Sequence, residues 1–122
     1  MKEEFIYYLW ENRLLHLDLK TTDNEEITVL SVGNRNHDSG ADFVNARIKI
    51  GDALWAGQVE IHVRASDWFK HNHHNDANYD SVILHVVYEN DTDSLKIPTL
   101  EIKDKFDLSI FHKYNWFFGS RN

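Results

Sequence analysis

The chain has no cysteine, one proline, one methionine and five glycines among its 122 residues. Without thiols it can form neither a disulfide framework nor a thiolate zinc site, so any metal must be held by oxygen and imidazole. No Pro/Gly-rich linker, internal repeat or low-complexity tract divides it. A long apolar run is also missing. The opening "MKEEFIYYLWENRLL" is acidic at its start and mixes charge through its apolar residues, unlike a signal peptide or a membrane span. A soluble, cytoplasmic protein with no membrane partner is the expectation. Positive charge is scarce as well: 13 Lys and Arg face 20 Asp and Glu, a formal net charge of −7. That balance argues against loose, charge-driven binding of nucleic acid, while leaving room for a local basic groove or a metal-bridged phosphate.

Apolar residues make up 42% of the chain, enough for one core and too few residues in all for two. From Glu3 to Leu15, the residues Phe5, Ile6, Leu9, Trp10 and Leu14 recur at three-and-four spacing, which predicts an amphipathic helix. "EITVLSV", 26–32, reads as a short strand ending in the turn-forming "GNRNHDSG". "DFVNARIKI", 42–50, reads as a second strand, with Val44, Ala46, Ile48 and Ile50 on one side and Phe43, Asn45, Arg47 and Lys49 on the other. Gly51-Asp52 turns the chain into a third strand at about 55–64, most simply as a hairpin. Ser66 is the expected N-cap of a short helix through "DWFKHN". "YDSVILHVVYEN" is apolar from Val82 to Val87, the pattern of a strand covered on both faces and commonly parallel. "LKIPTLEIK", 95–103, reads as another strand, with Pro98 marking an edge or a break. The expected fold is therefore α/β, in the order α-β-β-β-α-β, with a mixed central sheet of four to five strands flanked by helices. The aromatic tail from Phe106 to Asn122 has no obvious burial partner: it either packs back on the domain or belongs to something longer, and with the edge strand it leaves self-association open.

The third strand contains "GQVEIHVR", 57–64, which sets Glu60, His62 and Arg64 on one face. If the hairpin forms, Asp42 at the start of the second strand approaches Glu60 near the end of the third. Two charged carboxylates about 4 Å apart repel by roughly 4 kcal/mol at an effective dielectric near 20, unless a cation lies between them. Mg2+ or Mn2+ suits oxygen donors, with the Ile61 carbonyl as a third ligand and His62 facing the ion's water. Such a site suits metal-assisted phosphodiester hydrolysis. Glu3 or Glu4 could add an acid from the first helix. Arg47, Lys49, Arg64 and Lys70 could rim a phosphate backbone, or pair with the surplus acids. Trp55 and Trp68 read as packing aromatics, although either could stack on a base.

The element order, Asp42 in "GADF" and the triplet "EIH" at 60–62 resemble the PD-(D/E)xK nuclease superfamily. That resemblance implies a restriction-endonuclease-like fold, Asp42 and Glu60 as ligands, a water handled by the residue at 62, and nucleic acid as partner. Ala41 stands where the name-giving proline would be and His62 where lysine is usual; Arg64 or Lys49 is then the candidate for the missing cation. Taken together, "GADF", "GQVEIHVRASDW", "HNHH" and "YDSVILHVVYEND" are similar to an uncharacterised bacterial domain family of unknown function. This likeness covers most of residues 1–105, taken as the domain. Its members are generally longer, which implies that 106–122 begins a further region.

Two other readings stay open. One is a domain that keeps this fold as a nucleic-acid or protein interaction module without catalysis, in which Asp42 caps a turn and Glu60 faces solvent. The other is a zinc domain held by imidazoles. Five of eight histidines fall between 62 and 85, among them His71, His73 and His85. Against it, "HNHH" also reads as an exposed patch at a helix C-terminus, and His85 as a core histidine bonded to a neighbour.

Overall fold

The computed structural model describes residues 1–119; the last three residues of the expected 106–122 tail lie outside them. Helix α1 runs Glu3–Glu11 and buries Phe5, Ile6, Leu9 and Trp10. It is shorter than the expected 3–15: Asn12 closes it, and Arg13, in the left-handed region at φ 55°, turns the chain away. Strands β1 (Ile27–Ser31), β2 (Asn34–Arg35), β3 (Phe43–Ile50) and β4 (Ala53–Arg64) follow. Both β1 and β2 pair antiparallel with β3, and β3 pairs antiparallel with β4. Helix α2 (Asp67–Lys70) and two 3-10 turns, His73–Asn75 and Ala77–Tyr79, return the chain to β5 (Val82–Glu89). β5 lies parallel to β4, and β6 (Thr99–Glu101) parallel to β5. Helix α3 (Leu108–Phe118) closes the described chain.

The sheet has six strands, in the order β1-β3-β4-β5-β6 with β2 beside β3. The fold is thus α/β with a mixed sheet. It exceeds the expected four to five strands because two residues inside the supposed turn "GNRNHDSG" pair with the start of β3. Only Thr99–Glu101 of the expected 95–103 strand joins the ladder. Pro98 sits just before it, its carbonyl accepting from the His85 N–H at 2.9 Å. Helix α2 is also shorter than "DWFKHN", and Ser66 does not cap it. Ser66 is itself helical, and its N–H and Oγ–H both donate to Asp91, at 2.8 and 2.6 Å, tying the start of α2 to the loop after β5.

One face of the sheet carries the apolar core. Val59 and Ile61 of β4, Leu84 and Val86 of β5, and Leu100 of β6 pack with the buried side of α1. Each large side chain so buried contributes about 1.5–3 kcal/mol. The tail finds its burial partner here too: Phe5 meets Phe106, Phe111 and Tyr114 edge-on at 5.0–5.4 Å. Leu108, Trp116, Phe117 and Phe118 remain exposed on α3.

Two bulges set the phase of the central strands. Phe43, expected opposite Ala46, Ile48 and Ile50, is buried with them. Val44 and Asn45 stand against the single residue Gln58, because Phe43 pairs with Val59 and Ala46 with Gly57. Asn45 takes φ 60°, a conformation Asn tolerates, so the alternation skips one position. Between β4 and β5 the extra residue is Ile83, as Gln58 pairs with Val82 and Val59 with Leu84. Gly57 lies against this second bulge, where a Cβ would stand 2.6 Å from Ile83 Cγ2 and 2.7 Å from the Ser81 carbonyl oxygen. Since backbone cannot step aside as a side chain can, Gly57→Ala is expected to cost about 1–3 kcal/mol. Urea unfolding measures this, and an unchanged midpoint would contradict it.

Candidate metal centre

The other face of the sheet is polar where β4 and β5 run side by side. Residues at alternate positions share a face, so Glu60 and His62 of β4 stand with His85 of β5, which is in register with Glu60. Helix α2 and the 3-10 turns fold over this face and bring Trp68, His71 and His73 onto it. Trp68 is buried, its ring 5.3 Å from that of His73 and 5.2 Å from that of His85. Asp42 arrives from the start of β3. One step beyond the Phe43–Val59 pair its side chain takes over the ladder, and its Oδ2 accepts from the Ile61 N–H at 2.8 Å.

The acids form one connected group. The Asp42 N–H donates to Glu60 Oε1 at 3.2 Å. The Tyr7 hydroxyl lies 3.0 Å from both Glu3 Oε1 and Asp42 Oδ1, its single proton serving one acid at a time. The imidazoles join at the other oxygen of Glu60: Oε2 is 2.8 Å from His73 Nε2 and 3.3 Å from His62 Nε2. His62 Nε2 is 3.2 Å from His71 Nδ1, and His62 Nδ1 is 2.7 Å from His85 Nε2. One ring nitrogen each of His62, His71 and His73 lies within 4.8 Å of the other two, an arrangement that could hold a metal ion. Glu60, His62, His73 and His85 are 4%, 2%, 8% and 0% exposed, so Glu60 does not face solvent and "HNHH" is not a wholly exposed patch. His71 is exposed.

The remaining expected residues are placed less centrally. Ile61 meets Asp42 through its N–H. Arg64 is exposed near Asp91, its N–H donating to Asp67 Oδ2 at 3.3 Å. Lys49 cannot replace the missing cation, since seven extended residues place it roughly 23 Å along β3 from Asp42. Lys70 pairs with Asp67 at 3.9 Å. Glu4 lines a shallow cleft with Tyr7, Tyr8, Glu11, Arg35 and Tyr114. Trp55 is half exposed. Tyr7 was missed by sequence reasoning. Its signal was the four-residue helical spacing from Glu3, which puts both side chains on one face of α1. A cavity of about 320 Å³ elsewhere, lined by Leu9, Trp10, Leu19 and Val29 among others, touches none of these groups.

Fold and site together define an α/β domain with a buried acid–imidazole centre on one face of a mixed sheet. The chain belongs to the family described as protein of unknown function (DUF2851), whose model matches residues 3–122. Neither the curated proteins nor the solved structures contain a match to it.

Burial dominates the electrostatics. It pushes the Glu60 carboxyl far above the carboxylate range, with nearby Asp42 adding to the rise, and it raises Glu3 as well. It holds His62 down to about 2 and His85 to about 3, and lowers His73. These imidazoles are neutral in the folded protein, whereas unfolding frees them to take a proton below their ordinary value of 6.5. Stability from the histidines is therefore full above that value and is lost as pH falls below it. Glu60 acts oppositely. The folded chain keeps a proton that the unfolded chain releases above 4.5, so stability declines as pH rises past that point. His62 and His85 together outweigh Glu60 between these values, and only the carboxyl acts above them. Chelator-treated protein is accordingly expected to be most stable near pH 6.5, with urea midpoints falling on both sides; a flat profile from pH 4 to 8 would contradict the assignment.

Proposed function

We propose that this domain is a divalent-metal-dependent phosphodiesterase of the PD-(D/E)xK kind, acting on nucleic acid, with Asp42 and Glu60 holding Mg2+ or Mn2+. One observation carries the reading. A buried acid, Glu60, and a half-buried one, Asp42, interact from neighbouring strands, with no Lys or Arg within ion-pair distance of either among the described residues. A pair of that kind is costly unless a proton or a cation joins it, and hard cations are the partners carboxylate oxygens favour. The donor set therefore fits such an ion. Supporting the likeness further, a helix precedes a three-strand meander, and a short helical segment returns the chain to a parallel fourth strand. Glu3, on α1, reaches Asp42 through Tyr7.

The bound ion would lower the pKa of a water and neutralise charge on the phosphate. The chain's own groups supply orientation. Tyr7 O–H and Ile61 N–H fix the two oxygens of Asp42, and the Asp42 N–H fixes Oε1 of Glu60. The Ile61 carbonyl is the third oxygen in this reading. His62, kept neutral by burial, offers a lone pair that can position the water, while a pKa held down to about 2 leaves it a weak acceptor of the water's proton. This is an orienting role and not the cationic one of the usual lysine. Arg64, one strand period further on and exposed, is the group left to meet the phosphate.

Titration calorimetry with Mn2+ is expected to find a saturable site that Asp42→Asn and Glu60→Gln abolish. Cleavage of DNA or RNA substrates in Mg2+ or Mn2+ should fall to background in both. Glu60→Gln is expected to raise the urea midpoint of metal-free protein near pH 7, because the unfolded variant no longer gains the ionisation that the buried carboxyl forgoes. Wild-type protein with no saturable Mn2+ site would instead mark an interaction module.

A further inference from the structure

We infer that His62, His71 and His73, with Glu60 Oε2 beside two of them, form a zinc-class site that pins the segment between β4 and β5 onto the sheet. This goes beyond the phosphodiesterase reading and does not depend on it, because it rests on the convergence of the imidazoles and needs no part of Asp42.

A tetrahedral ion with bonds of about 2.0–2.1 Å needs donor atoms about 3.3 Å apart. The separations are 3.2 Å for His62 Nε2 to His71 Nδ1, 3.3 Å for His62 Nε2 to Glu60 Oε2, and 2.8 Å for His73 Nε2 to Glu60 Oε2. The three nitrogens lie within 4.8 Å of one another, and Glu60 Oε2 stands beside two of them, those of His62 and His73. Imidazole-rich donors select Zn2+ and its transition-metal neighbours over Mg2+. The rings are also held for the task. His62 Nδ1 faces His85 Nε2 at 2.7 Å, so a proton on Nδ1 leaves Nε2 free toward the ion, as an orienting partner of a metal-bound histidine does. His73 stacks on Tyr79, their centroids 3.7 Å apart and planes 21° apart. His85 supports His62 and is not among the converging nitrogens.

The site is divided between a strand and its cover. Glu60 and His62 lie in β4, whereas His71 and His73 flank Asn72, whose φ of 60° breaks the backbone between α2 and the first 3-10 turn. That cover has only a four-residue helix and two three-residue turns of regular structure. An ion there fastens residues 71–79 to the sheet in a chain that has no cysteine to do it. Glu60 and His62 are common to both readings: Glu60 turns Oε2 toward the imidazoles and Oε1 toward Asp42, while the one free lone pair of His62 serves either the ion here or the water there.

Chelator-stripped protein titrated with Co2+ is expected to develop the intense visible bands of a tetrahedral cobalt centre, displaced by one equivalent of Zn2+. His71 is exposed, so His71→Ala should leave far-ultraviolet dichroism and the metal-free urea midpoint unchanged. It is expected to remove the bands and weaken Zn2+ binding more than about 100-fold, beyond the roughly 10–100-fold that loss of an orienting partner costs. His73→Ala should do the same, and His74→Ala, altering an exposed neighbour, should not. Zn2+ should slow proteolysis within 67–80 in wild type and not in His71→Ala. Asp42→Asn is expected to keep the cobalt bands even where it loses Mn2+-dependent cleavage, so the two readings fail separately. No tetrahedral cobalt spectrum in wild type, an unaltered one in His71→Ala, or one lost only in Asp42→Asn would overturn the inference.

Discussion

The junction of β3 and β4 at Asp42 is the constraint on which the centre depends. Two N–H groups fix it: that of Ile61 donates to Asp42 Oδ2, and that of Asp42 donates to Glu60 Oε1. Each acid is thus oriented by the backbone of the other's strand. Side-chain entropy that a free carboxylate would retain is already lost in the fold. The bulge at Val44 and Asn45 brings this junction into phase, because without the extra residue the side chains from Phe43 onward toward Asp42 would exchange faces. Chemistry and core packing are therefore set by the same local irregularity.

Much of the architecture was legible because its signals are periodic. The three-and-four spacing in α1, the hairpin at Gly51-Asp52 and the continuous apolar run of β5 each led to the correct element. The failures came where tertiary contacts override local pattern. A single αL residue, Asn45, shifted the phase of β3, and nothing in an alternating strand announces such a bulge. Ser66 looked like a helix cap, yet it is bound to Asp91, 25 residues away. The tail seemed unburied because its partner, Phe5, lies at the far end of the sequence.

The site was legible in part for the same reason. Glu60, His62 and Arg64 follow from strand alternation, and the hairpin places Asp42 nearby. Alternation fixes a face but not depth, so it could not tell that Arg64 ends exposed while His62 is sealed in. Nor could it decide how His71 and His73 would point, because residues 71–79 follow no single period. His85 carried two meanings in the sequence, a ligand or a core histidine bonded to a neighbour. Its 2.7 Å contact with His62 Nδ1 realises the second while keeping it beside the metal-type cluster.

The polar face of the sheet is roofed by short turns and not by a long helix. A long helix would tie every roof residue to its neighbours through one rigid register, so that altering one contact would disturb many. Turns of three and four residues transmit little strain along the chain. Changes in the length or composition of residues 71–79 can therefore re-aim donor atoms over Glu60 and His62 while the strands below keep their pleat. The geometry of the roof and the pleat of the strands can thus vary independently.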